Sequence, residues 1–198
     1  MIPRQWILAT AILLALATAM AVYVWQLHRR ETATPVPAAA EPHVSPPAPA
    51  STDNVTVWVA YDTSGTLRAQ TISLPMSSRR QQRAEELMRG LLSIYTADNS
   101  PHPLPAGAEV RNVYLVDPGV AVIDLNSAFV VGQTSGVLAE DLTIASLIQT
   151  LSSNIPGIIK VKILVDGKER ETLSGHADIS DFYDVSQVSE LAKQLTSE

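Results

Sequence analysis

The sequence predicts an α+β protein: a single small domain with two helices packed on one face of a mixed or antiparallel β-sheet, preceded by one N-terminal transmembrane helix. Three observations predict it. The 198-residue chain opens with an uncharged apolar run, short segments further on alternate apolar and polar residues, and two longer segments carry apolar residues at helical spacing. The predicted order of elements is β-β-α-β-β-α-β-β.

Residues 1–30 are predicted to form the membrane anchor. Trp6 to Trp25 carries no charge, and about twenty residues rising ~1.5 Å each match a hydrocarbon core roughly 30 Å thick. Aromatic residues lie at both ends, with Arg4 and Arg29 outside them. A cleaved signal peptide is the alternative, because Ala17 to Ala19 and Ala19 to Ala21 both fit the small-x-small cleavage pattern. The retained anchor is favoured because the apolar run continues past both sites to Trp25.

Residues 31–53 are predicted to form a disordered spacer, since they hold six Pro and six Ala among 23 residues. Fully extended at about 3.1 Å per residue, they would reach roughly 70 Å from the bilayer. The positive-inside count is close to a tie, and the long linker favours a C-terminal domain outside the cytoplasm. The expected location is therefore the cytoplasmic membrane, single-pass.

The folded domain is predicted to span residues 54–184 and to begin with a hairpin. Val55, Val57 and Val59 alternate with polar or small residues, 62–65 reads as a turn, and 67–74 continues as a second strand. A helix follows, because its apolar residues recur at i, i+3, i+4 and i+7. These residues are Ala84, Leu87, Met88, Leu91, Leu92 and Tyr95.

The second half predicts strands at 109–116 and 120–125, joined by the turn Asp117-Pro118-Gly119. A second helix is predicted from Val137 to Ser153. A buried strand at 159–165 then turns at Asp166-Gly167 into a short final strand that ends near Leu173. Residues 185–198 form a tail that can add a short helix.

Several runs of the domain, taken together, resemble the GerMN domain family of spore-germination and sporulation proteins. The resemblance implies an envelope-facing accessory domain, similar in fold to the ring-building modules of secretion-like assemblies, with no established catalytic residues. A sporulation or germination role is implied in the same way. The runs are Leu104 to Gly107, Val120 to Phe129, Gly136, Ile155 to Ile158, Ile163 to Lys168 and Leu173 to Ser180.

Composition and motifs exclude several functions. The formal net charge of -6 and the lack of a dense basic stretch argue against nucleic acid as a partner. With no Cys, the chain has no thiolate metal site, cysteine nucleophile or acylation site. Gly-x-Ser-x-Gly and phosphate-binding loops are absent as well. We therefore expect no enzymatic activity, no cofactor and no metal.

Seven residues are candidates for a binding surface. Aromatic side chains can stack on sugars, and arginines at a helix start, where the macrodipole disfavours them, can face an anionic partner. A histidine beside Asp178 could act as a base or metal ligand, although a hydrogen bond to a neighbouring turn is the simpler reading. The candidates are Trp58, Tyr61, Tyr114, Arg79, Arg80, Arg83 and His176.

Two groups of aspartates receive simpler readings. Asp124 is expected to cap the turn that follows it rather than to act as an acid. Asp178, Asp181 and Asp184 lack the spacing of a calcium loop and are expected to be solvated.

The favoured function is thus a membrane-anchored, non-catalytic envelope module that docks other proteins, or itself, through sheet edges and loops. The alternative is a peptidoglycan- or glycan-binding envelope domain. An envelope hydrolase using His176 and Asp124 is the least favoured.

Overall fold

The structure, a computed structural model, describes residues 18–23, 25 and 52–196 of the chain. Residues 18–23 and 25 are helical. Most of the predicted anchor, Trp6 to Trp25, and nearly all of the predicted linker lie outside the described residues. Within the described ranges, no helix combines the length and the apolar character that crossing a membrane requires.

Residues 52–196 confirm the predicted α+β class, with antiparallel and mixed strand pairing. In chain order the elements are β1 (Thr52–Tyr61), β2 (Thr66–Pro75), α1 (Arg80–Tyr95), β3 (Val110–Val116), β4 (Val120–Leu125), α2 (Ser127–Val131), α3 (Val137–Asn154), β5 (Lys160–Val165), β6 (Tyr183–Asp184) and α4 (Val185–Thr196).

The strands form two sheets where the sequence predicts one. β1 and β2 pair antiparallel as a separate ribbon, and the other four strands lie in the order β3-β4-β5-β6. In that second sheet β4 and β5 are parallel, whereas the outer pairs are antiparallel. The ribbon stays separate because side chains of α3, instead of another strand, hydrogen-bond the second edge of β1.

The predicted final hairpin is wrong. Asp166 and Gly167 do turn the chain with positive φ angles of 50° and 72°, but only one bridge, between Val165 and Lys168, follows. The chain then leaves the sheet, and the two-residue strand β6 pairs with Lys160 and Val161 instead. Residues 171–179 bond to one another instead, because the Leu173 N–H donates to the Ala177 carbonyl and the Ile179 N–H to the Glu171 carbonyl. Glu140 of helix α3 holds the loop that they form.

The core lies between the helices and one face of the four-stranded sheet. Val113, Ile123 and Ile163 occupy one cross-strand row of that face and are fully buried. Helix α1 approaches β2 closely at Gly90, where the side chain of Leu74 occupies the space that a Cβ would need. The opposite face of the four-stranded sheet is left for other contacts.

Candidate docking surface

The outer face of the four-stranded sheet carries exposed apolar side chains. Strand alternation places Tyr114 and Val122 in one cross-strand row, and Val116 and Val120 in the next. Tyr114 is 47% exposed and Val116 is 51% exposed, while Val120 and Val122 are half-buried. Phe182, 54% exposed, extends this face beyond β5. We call these five residues the outer patch.

Lys162 fixes the far side of the outer patch. Its side chain is buried, and its ammonium donates to the carbonyl oxygens of Ile179 (3.3 Å) and Ser180. The same ammonium lies 5.9 Å from the centre of the Phe182 ring, within the range of a cation–π contact. Phe182 is therefore held against the sheet by a cation that is itself held by backbone carbonyls.

The free edge of β1 is closed by helix α3. The Trp58 N–H donates to Thr150 Oγ1 (2.8 Å), and the Trp58 carbonyl accepts from Ser146 Oγ (2.6 Å). One turn further along the helix, Asn154 Nδ2 donates to the Thr56 carbonyl (2.7 Å). Because these backbone groups already have partners, a foreign strand gains little by pairing there.

The free edge of β3 is occupied by helix α1. The Gln81 carboxamide donates to the Val113 carbonyl and accepts from the Leu115 N–H (3.2 Å). One side chain thus satisfies two of the outward backbone groups that an added strand would use. Docking through sheet edges, as the sequence suggests, meets an obstacle at β1 and at β3.

The three arginines of the predicted basic cluster have different surroundings. Arg83 pairs with Asp53 at 2.7 Å, and Arg80 donates to the Pro156 carbonyl at 2.7 Å and lies 3.8 Å from Asp117. Arg79 is exposed and serves as the N-cap residue of α1. Acidic side chains therefore offset much of the positive charge that this cluster was expected to offer.

The three aromatic candidates do not form one platform. The Trp58 indole is half-buried and donates to Ser153 Oγ (3.1 Å). The Tyr61 ring lies under the Arg68 guanidinium, 4.8 Å from its centroid. Tyr114 lies on the other sheet. Of the three, Tyr114 alone belongs to the outer patch.

His176 lies beside Glu140, a buried carboxylate that the sequence analysis did not single out. His176 Nδ1 is 2.9 Å from Glu140 Oε1. Glu140 Oε2 accepts from the backbone N–H groups of Ser174, His176 and Ala177 at 2.9–3.0 Å. Burial alone would raise the pKa of Glu140, but the hydrogen bonds from Ala177, His176 and Ser174 lower it to about 2. Glu140 thereby ties the loop at 174–177 to α3.

A second hydrogen-bond network, which the sequence did not predict, is centred on His102. His102 Nδ1 is 2.6 Å from Asp62 Oδ1, and His102 Nε2 is 2.8 Å from Thr143 Oγ1. This order of groups is typical of nucleophilic catalysis. However, His102 is 1% exposed and Thr143 is 0% exposed, and Gln133 also hydrogen-bonds the Thr143 hydroxyl. Because no substrate can reach that hydroxyl, this hydrogen-bond network has a structural role.

The aspartates considered for other roles are also placed. The cap of α2 is Asn126, whose side chain accepts from the Phe129 N–H, so the cap expected at Asp124 is wrong. Asp124 Oδ1 accepts from the Gly167 N–H at 2.7 Å. Asp178 and Asp184 each accept from a serine two residues later. Across the described ranges, no group of three or more acidic or histidine side chains is placed to hold a metal ion.

A cleft of about 490 Å³ opens between the end of α1 and the start of β3. Arg89 and Arg111 lie on its wall, but Arg89 pairs with Glu85 (3.3 Å) and Arg111 pairs with Asp166 (3.3 Å). Its positive charge is thus matched within the domain, and the outer patch remains the strongest candidate surface.

Comparison with known proteins agrees with this fold. A family model named Germane, described as sporulation and spore germination, matches residues 56–171. The tandem GerMN domains of the sporulation protein GerM from Bacillus subtilis align over 69% of this chain and 48% of theirs, with 27% identity and a TM-score of 0.52. The first GerMN domain of that protein aligns over 67% of this chain and 97% of its own, with 27% identity and a TM-score of 0.50.

The chain thus spans about half the length of the tandem structure. No curated protein matches it significantly. The resemblance to GerMN domains predicted from the sequence is confirmed.

Proposed function

Because the chain belongs to the Germane family of sporulation and spore germination, we propose that it is a non-catalytic module of the cell envelope that docks onto another protein. The similarity to GerMN domains of a sporulation protein supports this class of role. The docking function itself rests on the outer patch.

The outer patch carries the proposal because burying its apolar side chains against a partner would lower the free energy of the complex. Its three valine side chains and two aromatic rings face away from the core, and aromatic residues are enriched at protein interfaces. Burying apolar surface contributes roughly 25 cal/mol per Å². A rigid sheet also loses little conformational entropy when a partner covers it.

Anchoring and export belong to the same proposal. The uncharged run from Trp6 to Trp25 would hold the chain in the cytoplasmic membrane. The Pro/Ala-rich residues 31–53 would then let the domain reach its partner outside the cytoplasm. A partner in the envelope follows from that placement.

Photo-crosslinking in cells tests the docking surface. A photoreactive phenylalanine analogue replaces Tyr114 or Phe182 in the full chain, and Val131, an apolar residue 81% exposed on α2, is the matched control position. We expect one protease-sensitive adduct of defined mass at positions 114 and 182, and none at position 131. Adding Val116→Lys should lower the adduct yield at position 182 at least tenfold, because burying that ammonium disfavours the interface.

Three outcomes would contradict the proposal: no adduct at positions 114 and 182, an equal adduct at position 131, or an adduct that only a wall-degrading enzyme removes. The last would assign the surface to peptidoglycan instead. The proposed class is thereby distinguished from a glycan-binding domain.

A further inference from the structure

The contacts of β1 show which of its residues point their backbone groups toward β2 and which point them away. The backbone of Thr56 and Trp58 faces helix α3, and the Ala60 N–H donates to the Tyr95 hydroxyl at 2.9 Å. In an antiparallel pair, successive residues alternate between facing the partner strand and facing away from it. The odd-numbered residues Val55, Val57 and Val59 must therefore face β2.

The register of the pair then shows which backbone groups of β2 face β1 and which face outward. Val55, Val57 and Val59 lie opposite Ile72, Gln70 and Arg68. The backbone groups of residues 67, 69, 71 and 73 consequently point out from the free edge of β2. An independent contact supports this assignment, because the Leu67 carbonyl accepts from Thr196 Oγ1 at 3.0 Å on that side.

Beyond Leu67 this edge is open. Ala69, Thr71 and Ser73 are exposed, and within residues 52–196 nothing hydrogen-bonds their outward N–H and C=O groups. Edge strands are usually protected by Lys, bulges, Pro or a covering element. Ten-residue β2 has no Lys, pairs without a bulge and has no Pro before position 75. Of the two ten-residue strands in the described part of the chain, β1 has its outer edge closed by helix side chains. The outer edge of β2 is left open along most of its length.

We propose that β2 pairs antiparallel with β2 of a second copy of this chain, with Thr71 opposite the same residue of that copy. Outward residues then meet outward residues, since 69 lies opposite 73, and three such pairs supply about six hydrogen bonds. The hydrogen-bonded pairing ends at the pair of residues 69 and 73, because the next outward residue, 67, would lie opposite Pro75, which has no N–H. Two ribbons become one four-stranded sheet with two-fold symmetry.

A second copy fits this edge because no like charges oppose each other. Arg68 is the only charged residue in β2, and in this register it lies opposite Leu74 of the second copy. Thr71 meets threonine, a favourable cross-strand pair. A two-stranded ribbon is also marginal by itself, and added strands stabilise it. This pairing does not use the outer patch, so it goes beyond the proposed docking function and does not depend on it.

Two edge-blocking variants of the full chain, reconstituted in lipid nanodiscs or detergent, test the pairing by sedimentation velocity over a range of concentrations. Thr71→Pro removes an N–H that points to solvent, so it costs no hydrogen bond within one chain. Thr71→Lys places a charge on the edge and serves if the proline variant fails to fold. We expect each to raise the dimer dissociation constant at least tenfold, while Thr71→Val leaves it within about twofold.

Crosslinking gives the register directly, because the chain has no Cys. Thr71→Cys should form a covalent dimer with a short bismaleimide, whereas Thr134→Cys, on an exposed loop, should not. A wild-type monomer at all concentrations, a dimer that both edge variants leave intact, or equal crosslinking at the two positions would overturn the proposal. Crosslinking of Thr71→Cys to a different protein in cells would overturn the choice of a second copy.

Discussion

Glu140 is an ionised side chain held inside the protein, and its hydrogen bonds explain why that is tolerated. A buried carboxylate costs several kcal/mol unless it is fully satisfied. Here the carboxylate receives three loop N–H groups, the His176 ring and, at 3.3 Å, the Gly136 N–H. It also lies in the first turn of α3, where the helix dipole favours a negative charge.

This arrangement predicts a specific loss of stability in acid. The pKa of Glu140 is about 2 in the folded protein and about 4.5 without its surroundings. Its contribution is therefore complete above about pH 5 and is lost as the pH falls from roughly 4.5 to 2, by about 3 kcal/mol in total. Urea denaturation at a series of pH values measures that slope.

Glu140→Gln should remove most of this pH dependence and lower the free energy of unfolding at pH 7 by about 2–4 kcal/mol. The amide nitrogen would face N–H donors, leaving buried groups unsatisfied. Glu171→Gln, at an exposed side chain, is the matched control and should change stability by less than about 0.5 kcal/mol. An unchanged acid slope in Glu140→Gln would show that Glu140 does not hold the loop.

Helix α3 shows how one element can bear a polar row inside an apolar core. Glu140, Thr143, Ser146 and Thr150 are all buried, and with Asn154 they recur every three or four residues along one side of the helix. Three of them close the edge of β1, because Ser146 and Thr150 bond the backbone of Trp58 and Asn154 bonds that of Thr56. The helix therefore positions the loop at 174–177 and protects the ribbon at the same time.

Thr150→Val tests this row with little change of shape. The substitution removes the acceptor of the Trp58 N–H, and a buried unsatisfied donor costs about 1–3 kcal/mol. We expect a loss of that size in chemical denaturation, with the secondary structure unchanged by circular dichroism. Thr63→Val, at an exposed turn position, should be nearly neutral. Equal effects of the two variants would mean that the edge of β1 is closed by something other than the hydroxyl.

The sequence predicted elements whose signal is local and missed those whose partners are distant. Val55, Val57 and Val59 alternate, so β1 could be located, and β4 was predicted at its observed bounds. The strand β6 is too short to show alternation, because two residues form it opposite Lys160 and Val161. Its position depends on a ladder partner more than twenty residues away.

Side-chain partners limit prediction of the candidate site in the same way. Tyr114 was identified as a surface aromatic, but its neighbours Val122 and Phe182 become visible only with the register of the sheet. Val137 and Leu138 are apolar residues of the predicted second helix, yet both are exposed. The signal that could have found the buried row is the repeat of polar residues along a helix that is apolar around most of its circumference.

The whole chain combines a predicted anchor, a spacer and a folded domain, and the anchor can be tested apart from the domain. Because Trp6 to Trp25 has no charge, we expect the full chain to resist carbonate extraction from membranes. A reporter fused after Glu198 should be active outside the cytoplasm. Leu16→Lys near the centre of the run should weaken insertion, since a lysine there costs about 3 kcal/mol, whereas Leu16→Val should not.

The intact mass of the membrane-bound protein distinguishes a retained anchor from a cleaved signal peptide. A retained anchor keeps the first residues, and cleavage after Ala19 or Ala21 removes them. A truncated, carbonate-soluble protein would contradict the anchor but preserve export, whereas a reporter active only in the cytoplasm would contradict both and remove the envelope from the proposed function.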